Sequence, residues 1–179
     1  MKRLFSKAVS FTAVLCLVLN MCTAVHAITA NELTGHWAEE TLREWVELGL
    51  LKGDKNGMYN PDAIISRAEF MALVNRVMNF TAKSEKIRSF TDVSPGKWYY
   101  EDASKALAAG YITGTSADTL SPEGTLTREQ AITIISRIKE LVLDGNTEIL
   151  ALFSDSGELS VWARGPVAQA IREGLVFGS

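Results

Sequence analysis

Two arginines stand where an arginine is ordinarily unfavourable, at the start of a predicted helix. Residues 65–70 read ISRAEF and residues 126–131 read LTREQA, and both fit the S/T-x-x-E/Q capping box. Arg67 and Arg128 therefore occupy the first helical position. The backbone N–H groups there sum to about half a positive charge, so a cation at that position costs roughly 0.3–1 kcal/mol. The recurrence of this unfavourable arrangement, in register, indicates that the two arginines have a function.

These arginines belong to a long internal repeat. Trp37 and Trp98 are each followed by glycine after twelve and sixteen residues, by proline after twenty-four and by the arginine after thirty. A third tryptophan, Trp162, has the two glycines but neither the proline nor the arginine. Such a long shared spacing without a gap predicts successive copies of one structural unit. The residues concerned are Gly49, Gly53, Gly110, Gly114, Gly174, Gly178, Pro61 and Pro122.

Each copy is predicted to fold as helix, loop, helix, which makes the fold all-α. Apolar residues recur at the i, i+3, i+4, i+7 spacing of one helix face, and the glycine after the first helix is a natural left-handed terminator. No helix pair buries its apolar face alone, so we expect the copies to pack on one another. The predicted core positions are Ala38, Leu42, Trp45, Val46, Phe70, Leu73, Val74, Val77, Tyr99, Ala103, Ala106, Leu107, Ala131, Ile134, Ile135 and Ile138.

The chain divides into a leader and three copies. Residues 1–27 have the basic start, apolar run and small-residue end of a signal peptide, so we expect export; an uncleaved membrane anchor is disfavoured because the apolar run is shorter than ~20 residues. The copies are predicted at 28–88, 89–150 and 151–179, the last truncated. We therefore expect a fragment of a longer surface protein, or a neighbouring chain that completes the third copy. Polar linkers are predicted at 81–89 and 144–148.

The composition excludes several classes of function. Both cysteines, Cys16 and Cys22, lie in the leader, so no disulfide is expected after export. Of 18 basic residues three lie in the leader, which leaves 15 against 21 acidic residues, a net charge of −6 that argues against nucleic acid as a partner. The single histidine beyond the leader, His36, excludes multi-histidine metal sites, and no carboxylate pair stands out for glycoside hydrolysis. We predict that this chain is not an enzyme.

An aspartate precedes the tryptophan in two of the copies. Asp92, in the motif FTD, lies six residues before Trp98, and Asp155 lies seven before Trp162, whereas the first copy has Asn31 at the six-residue position. An aspartate at such a place caps a turn or helix, or binds a ligand, and the sequence leaves both roles open.

One loop invites a calcium interpretation. In GDKNGMYNPD, Asp54 and Asn56 are spaced like the first two ligands of an EF-hand or dockerin loop. Met58 offers no side-chain oxygen at the third ligand position, and Ile65 stands where the loop's final acid belongs. A dockerin-like, calcium-dependent assembly module is therefore a rival hypothesis that the spacing supports poorly.

The residues described above resemble the S-layer homology domain family. The stretch FTDVSPGKWYYEDASKALAAGYITG followed by LSPEGTLTREQAITIISRI is similar to one such domain, and GHWAEE with YNPDAIISRAEFMALVNRV is similar to another. The family's hallmark tetrapeptide resembles Thr-Arg-Ala-Glu, which matches Ser-Arg-Ala-Glu and Thr-Arg-Glu-Gln here. The resemblance implies non-covalent anchoring of an exported surface protein through an anionic, peptidoglycan-linked secondary cell wall polysaccharide that often bears a pyruvate ketal. It also implies a pseudo-threefold bundle with ligand grooves between copies, and a payload that is in some members a surface enzyme.

The resemblance also implies which residues contact the polymer. A ketal carboxylate suits a guanidinium fork beside unfilled backbone N–H groups at a helix N-terminus. Flat sugar faces suit aromatic rings, and glycines permit close approach of a ligand to the backbone. For the tryptophans a role as core anchors, and for the glycines a role as turn residues, remain open. The expected ligand-binding residues are Arg67, Arg128, Trp37, Trp98, Asp92, Gly53 and Gly114, with Tyr99 as a further aromatic candidate, and no metal or cofactor is expected.

Overall fold

The computed structural model describes residues 32–177, and these residues form an all-α fold. Within them the only β pairing is an isolated antiparallel bridge between Ser66 and Thr125, so the predicted fold class is confirmed. The predicted signal peptide lies outside the described residues. The helices of this part of the chain are α1 (Glu39–Glu47), α2 (Arg67–Val77), α3 (Tyr100–Ala108), α4 (Arg128–Ile138) and α5 (Val161–Arg172), with 3₁₀ helices at Glu85–Ser89, Glu148–Leu152 and Ser156–Glu158.

The chain separates into two compact units at Ala63 and Ile64. The first unit contains α1 and the loop after it, and the second contains α2 to α5. This boundary falls inside the first predicted sequence copy, between its two helices. The boundaries of the copies at 28–88, 89–150 and 151–179 therefore stay sequence predictions, and so does their pseudo-threefold arrangement.

Local signals set the helix ends as the sequence predicts. Gly49, Gly110 and Gly174 follow α1, α3 and α5 with φ values of 68°, 77° and 66°, a left-handed conformation that glycine adopts without a Cβ clash. Ser66 and Thr127 cap α2 and α4, and both capping boxes are complete. Each of these signals acts within a few residues, which is why the sequence alone reveals it.

In the second unit, the second helix of one copy packs against the first helix of the next. The pairs are α2 with α3 and α4 with α5. A buried polar side chain joins each pair: Asn75 Nδ2 donates to the Asp102 carbonyl at 2.8 Å, and Ser136 Oγ donates to the Pro166 carbonyl at 3.3 Å. Asn75 and Ser136 occupy equivalent repeat positions, so the two interfaces use the same arrangement. The expectation that copies pack on one another is confirmed for these two interfaces.

The buried faces of the helices differ from the predicted stripes. In α2, Val74 is buried but Val77 is 45% exposed, and the buried set instead includes Arg67 and Asn75. In α4, Ile134 is buried while Ile135 is 37% exposed. The predicted core positions were chosen from apolar residues alone. Polar residues are also buried where the next copy offers them hydrogen-bond partners. The prediction was also wrong for α1, which has no fully buried residue.

The two predicted linkers contain ordered structure. The first contains the 3₁₀ helix Glu85–Ser89 and the second leads into Glu148–Leu152. Ile87 and Leu150, one from each 3₁₀ helix, are buried at 3% and 2% exposure. Ile87 joins the core formed around α2 and α3, and Leu150 joins the core formed around α4 and α5. A single apolar residue therefore fixes each connection to the helices that it joins.

Candidate functional site

The first turn of α2 is covered by the loop that precedes α4. The N–H groups of Arg67 and Ala68 donate to the carbonyls of Gly124 and Pro122 at 2.9 and 2.8 Å. The cap serine accepts from the N–H of Glu69 at 3.2 Å. The expectation of unfilled backbone donors beside Arg67 is therefore wrong, because the loop that contains Pro122 and Gly124 supplies the acceptors.

The guanidinium of Arg67 is a buried cation. Its side chain is among the few buried charged groups, with the residue 9% exposed, and Nη2 donates to the Thr113 carbonyl at 2.7 Å. Burial lowers the pKa of Arg67, and the nearby charge of Arg137 lowers it further. Nε has no hydrogen-bond partner among residues 32–177, and no carboxylate there lies within ion-pair distance. Arginine remains charged at neutral pH, so this positive charge is uncompensated in the described part of the chain.

Arg128 makes the equivalent contact but is exposed. Its Nη2 donates to the Phe177 carbonyl at 3.1 Å. Thr113 and Phe177 each lie three residues after the glycine that ends the first helix of the next copy. Both arginines thus connect one copy to the loop of the next. The sequence analysis missed this structural role, although the constant spacing between tryptophan and glycine in each copy was visible. Among the described residues Arg128 has no carboxylate partner, so most of its five donors remain available.

The tryptophans of the first two copies lie on the surface. Trp37 is 91% exposed and Trp98 is 63% exposed. The alternative that they anchor the core is therefore wrong. Tyr99 behaves in the opposite way: it is 2% exposed and belongs to the core, with its hydroxyl 3.4 Å from Glu123 Oε1. Tyr99 is thus unable to present its ring to a ligand, and the expectation that it lines a groove is wrong.

Asp92 fixes the loop in front of α4. Its carboxylate accepts hydrogen bonds from the N–H of Leu120 at 2.9 Å and of Ser121 at 2.7 Å. Ser121 has a positive φ of 55°, an unusual conformation for serine that the two hydrogen bonds help to hold. The structure therefore gives Asp92 the turn-capping role; ligand binding by Asp92 stays a prediction.

The first copy uses a glutamate for the same purpose. Glu32 accepts from the N–H groups of Tyr59 and Asn60, and Asn60 also has a positive φ, of 46°. Asn31, which aligns with Asp92, lies outside the described residues. Sequence alignment missed Glu32 because a longer side chain one residue later reaches the same pair of backbone donors. An acidic residue next to the aligned position was the available signal.

Gly53 and Gly114 are required by the turns that follow them. A Cβ on Gly53 would lie 2.6 Å from the carbonyl carbon of Gly57, and one on Gly114 would lie 2.3 Å from the carbonyl oxygen of Ser116. The backbone of each loop therefore fills the space that a side chain needs. This geometry supports the turn-residue interpretation, while contact between these glycines and a ligand stays a prediction.

A groove of about 380 Å³ lies between α4 and α5. Ser136, Arg137, Glu140 and Trp162 are among the residues that line it. None of the predicted ligand-binding residues lines this groove. It lies between the second and third copies, at an interface between repeats.

In the loop with calcium-like spacing, Asp54 makes hydrogen bonds to the backbone of the loop itself. Asp54 Oδ1 accepts from the N–H groups of Asn56 at 2.8 Å and Met58 at 3.0 Å. These hydrogen bonds, with Met58 the larger contributor, lower the pKa of Asp54. The described residues contain no group of three metal-ligating side chains. Asp54 thus has a turn-forming role in this loop.

No helix in residues 32–177 is long and apolar enough to cross a membrane. The described helices have 9 to 12 residues. A spanning helix needs about 20.

Comparison with protein families finds one match. The model of the S-layer homology domain matches residues 33–71 and 89–132. The first segment runs from the loop before α1 into α2, and the second runs from the end of the Glu85–Ser89 helix into α4. Each segment therefore contains one exposed tryptophan and the arginine that begins a capped helix.

Similar proteins are surface proteins and surface enzymes. The chain is 28% identical over 99% of its length to the surface-layer 125 kDa protein of Lysinibacillus sphaericus, of which it covers 15%. It is 30% identical over 84% of its length to an amylopullulanase of Thermoanaerobacterium thermosulfurigenes, covering 8% of that protein. It is 32% identical over 43% of its length to a cellulosome-anchoring protein of Acetivibrio thermocellus, covering 17%. The chain thus spans less than a fifth of each of these relatives.

Proposed function

Since this chain belongs to the S-layer homology domain family, we propose that it anchors an exported protein to the bacterial cell envelope by binding a secondary cell wall polysaccharide. S-layer homology domains are cell-wall anchoring modules, and proteins that contain them act at the cell surface. The anchoring is non-covalent, and the polymer is anionic and linked to peptidoglycan.

The exposed guanidinium of Arg128 carries this proposal. It stands at the positive end of α4, makes one hydrogen bond to a backbone carbonyl and has no carboxylate partner in residues 32–177. A carboxylate, such as that of a pyruvate ketal, would receive paired, charge-assisted hydrogen bonds from the remaining donors. Arg67 has the same position in the first copy, and its side chain is buried, so it contributes through its positive charge.

The exposed tryptophans supply the second part of the binding chemistry. A hexopyranose ring has a face of C–H bonds, which packs on the negative face of an aromatic ring. Trp37 and Trp98 present such rings to solvent, one in each complete copy. Asp92, Gly53 and Gly114 shape the loops along which the polymer lies, and we propose that the sugar backbone contacts these loops directly.

The anchored payload lies elsewhere in the polypeptide of such proteins. The amylopullulanase shares only 8% of its length with this chain, and the surface-layer protein shares 15%. The shared part is a binding module in both cases, so a catalytic function of a whole protein is compatible with a non-catalytic anchor. We propose that this chain supplies attachment and no chemistry.

A co-sedimentation assay with purified cell wall sacculi tests the proposal. The exported chain is mixed with untreated sacculi and with sacculi from which hydrofluoric acid has removed the polysaccharide. We expect the chain to sediment with the untreated wall alone. Equal sedimentation with both preparations would show binding to peptidoglycan itself, and sedimentation with neither would refute envelope anchoring.

A further inference from the structure

The residue before the tryptophan faces an acidic residue in each of the first two copies. His36 Nε2 lies 3.4 Å from Asp62 Oδ1, and Lys97 Nζ lies 3.1 Å from Glu123 Oε1. Each acidic residue directly follows the proline of its copy, so the two pairs occupy one position of the repeat. Lysine stays charged throughout the neutral range, whereas histidine is the residue type whose charge changes between about pH 5 and pH 8. The two copies therefore differ in whether this pair responds to pH.

The other ring nitrogen of His36 holds the start of α1. Nδ1 accepts a hydrogen bond from the Ala38 N–H at 3.1 Å. Ala38 directly precedes α1 and supplies no side-chain cap of its own. Because an accepting nitrogen carries no proton, the neutral ring has its proton on Nε2, the atom that faces Asp62. His36 thus satisfies a backbone donor that has no partner within the helix.

The imidazole of His36 is enclosed. Its side chain is 9% exposed, and Nε2 is buried without a hydrogen-bond partner in residues 32–177, so its contact with Asp62 is electrostatic. The other charged groups beside it are Glu39 and Arg43 on α1, which pair with each other at 2.8 Å. Glu39 also accepts from the Gly35 N–H at 2.6 Å. Asp62 is therefore the carboxylate that faces a charge on His36, and its side chain is 91% exposed.

A second proton on the ring is incompatible with the contact to Ala38. The imidazolium carries an N–H on both nitrogens, so Nδ1 becomes a donor that faces the Ala38 N–H. Attraction to Asp62 offsets this loss only in part, because water screens an exposed carboxylate. The neutral ring therefore fits the observed start of α1, and the charged ring does not.

The position of Trp37 depends on this arrangement. Its side chain is 91% exposed, so few packed neighbours orient it. Its ring lies against that of His36, with 5.4 Å between the ring centroids and 38° between the planes. A His36 ring that leaves Ala38 changes both this ring contact and the backbone next to Trp37.

We propose that His36 is a positioning residue for Trp37, which it holds in place when neutral and releases when protonated. Attachment to the wall through the first copy then weakens in mildly acidic surroundings. The second copy keeps its attachment, because Lys97 keeps its charge and its contact with Glu123. The statement about attachment rests on the proposed function, whereas the movement of Trp37 does not.

Fluorine NMR of the exported chain labelled with 5-fluorotryptophan tests the movement without any polysaccharide. His36 is the single histidine beyond the predicted leader, and Trp37→Phe identifies the Trp37 resonance by its loss. We expect this resonance to follow a one-proton titration between about pH 5 and pH 8. The resonance of Trp98, which follows Lys97, is the internal control and should stay in place. A Trp37 resonance that does not move, or that moves equally in His36→Asn, overturns the proposal.

Two replacements of His36 imitate its two charge states. Asparagine accepts from a backbone N–H two residues on and does not titrate, so His36→Asn should hold Trp37 at every pH. Lysine offers no acceptor and is the residue found in the second copy. His36→Lys should therefore behave at neutral pH as the unmodified chain does in acid. If circular dichroism shows that His36→Lys has lost helix, the comparison with His36→Asn decides.

Co-sedimentation with untreated sacculi measures the effect on attachment. We expect the Kd of the unmodified chain to rise by roughly fivefold from about pH 7.5 to about pH 5.5, and that of His36→Asn to change by less than about twofold. Titration of the wall itself acts on both chains alike. An equal pH dependence in the two chains overturns the inference. If the unmodified chain sediments at neither pH, the proposed function fails, and the fluorine titration alone decides whether His36 positions Trp37.

Discussion

The arginines at the first positions of α2 and α4 have equivalent places in the repeat but different environments. Arg67 is buried and Arg128 is exposed, although each donates to a carbonyl three residues after an equivalent glycine. The difference arises because the first turn of α2 is covered by residues 122–126, whereas Arg128 reaches towards the loop at Phe177 from the surface. The same sequence motif therefore places Arg67 in a mainly structural role and leaves guanidinium donors of Arg128 available to a ligand.

We expect replacement of the exposed arginine to separate binding from stability. Arg128→Gln keeps a shorter polar side chain but removes the charge, so sacculus binding should weaken by roughly tenfold or more while the melting temperature changes by about 2 °C or less. Co-sedimentation and calorimetry measure the two effects. Arg88→Gln is the control, because Arg88 is an exposed arginine paired with Glu85 on a 3₁₀ helix. Unchanged binding in the double variant Arg67→Gln and Arg128→Gln would refute the role of the arginines.

Arg67→Gln should instead reduce stability. The shorter, neutral side chain loses the 2.7 Å hydrogen bond that the buried guanidinium donates to the Thr113 carbonyl, which costs about 1.5–3 kcal/mol. Urea denaturation followed by circular dichroism measures this loss, with Arg128→Gln as the comparison. A free energy of unfolding equal in the two variants would contradict the assigned burial.

At the level of helices, the interface between copies depends on buried polar side chains. Asn75 is 3% exposed and bonds to Asp102, while its Oδ1 accepts from the hydroxyl of Tyr111 at 2.8 Å. Burial, with a smaller contribution from Asp102, raises the pKa of Tyr111, so this hydroxyl keeps its proton in more alkaline solution than an exposed tyrosine does. The same position in the next copy is Ser136, which makes a single bond of 3.3 Å. The polar contacts made from this repeat position are therefore stronger at Asn75 than at Ser136.

The two equivalent positions should respond differently to alanine. Asn75→Ala removes the hydrogen bonds from Nδ2 to the carbonyl and Oδ1 of Asp102 and deprives the Tyr111 hydroxyl of one of its two acceptors, so we expect a loss of about 2 kcal/mol. Ser136→Ala removes one weak hydrogen bond and should lose about 1 kcal/mol or less. Denaturant titration of both variants compares the losses directly. A loss for Ser136→Ala that equals or exceeds the loss for Asn75→Ala would contradict this ranking.

The molecule as a whole is acidic, although its proposed ligand is an anion. Beyond the predicted leader, 15 basic residues face 21 acidic ones. Long-range electrostatics therefore oppose the approach of an anionic polymer, and binding must come from short-range contacts at particular cations. Lys97 illustrates how the other cations are used: it pairs with Glu123 at 3.1 Å, which raises the pKa of Lys97. Cations without a carboxylate partner, such as Arg128, are thus the ones that fit a ligand.

Salt should weaken wall binding through those contacts. The Debye length falls from about 10 Å at 0.1 M to about 3 Å at 1 M salt, which screens an exposed guanidinium. We expect sacculus binding of the unmodified chain to fall between 0.1 and 1 M sodium chloride. Arg128→Gln, which lacks the exposed charge, should show a smaller fall. Binding that is indifferent to salt in the unmodified chain would count against an ionic contact.

Signals that act over a few residues were readable from the sequence, and contacts between distant residues were not. The capping boxes, the glycine terminators, the helical class and the equivalence of Arg67 and Arg128 all follow from spacing within one repeat. The partners of those arginines lie 46 and 49 residues away, so no local pattern reveals that one guanidinium is buried and the other exposed. Likewise, the exposure of Trp98, the burial of Tyr99 and the groove at Trp162 arise only when one copy packs on the next, because burial is a property of packed neighbours and not of a residue type.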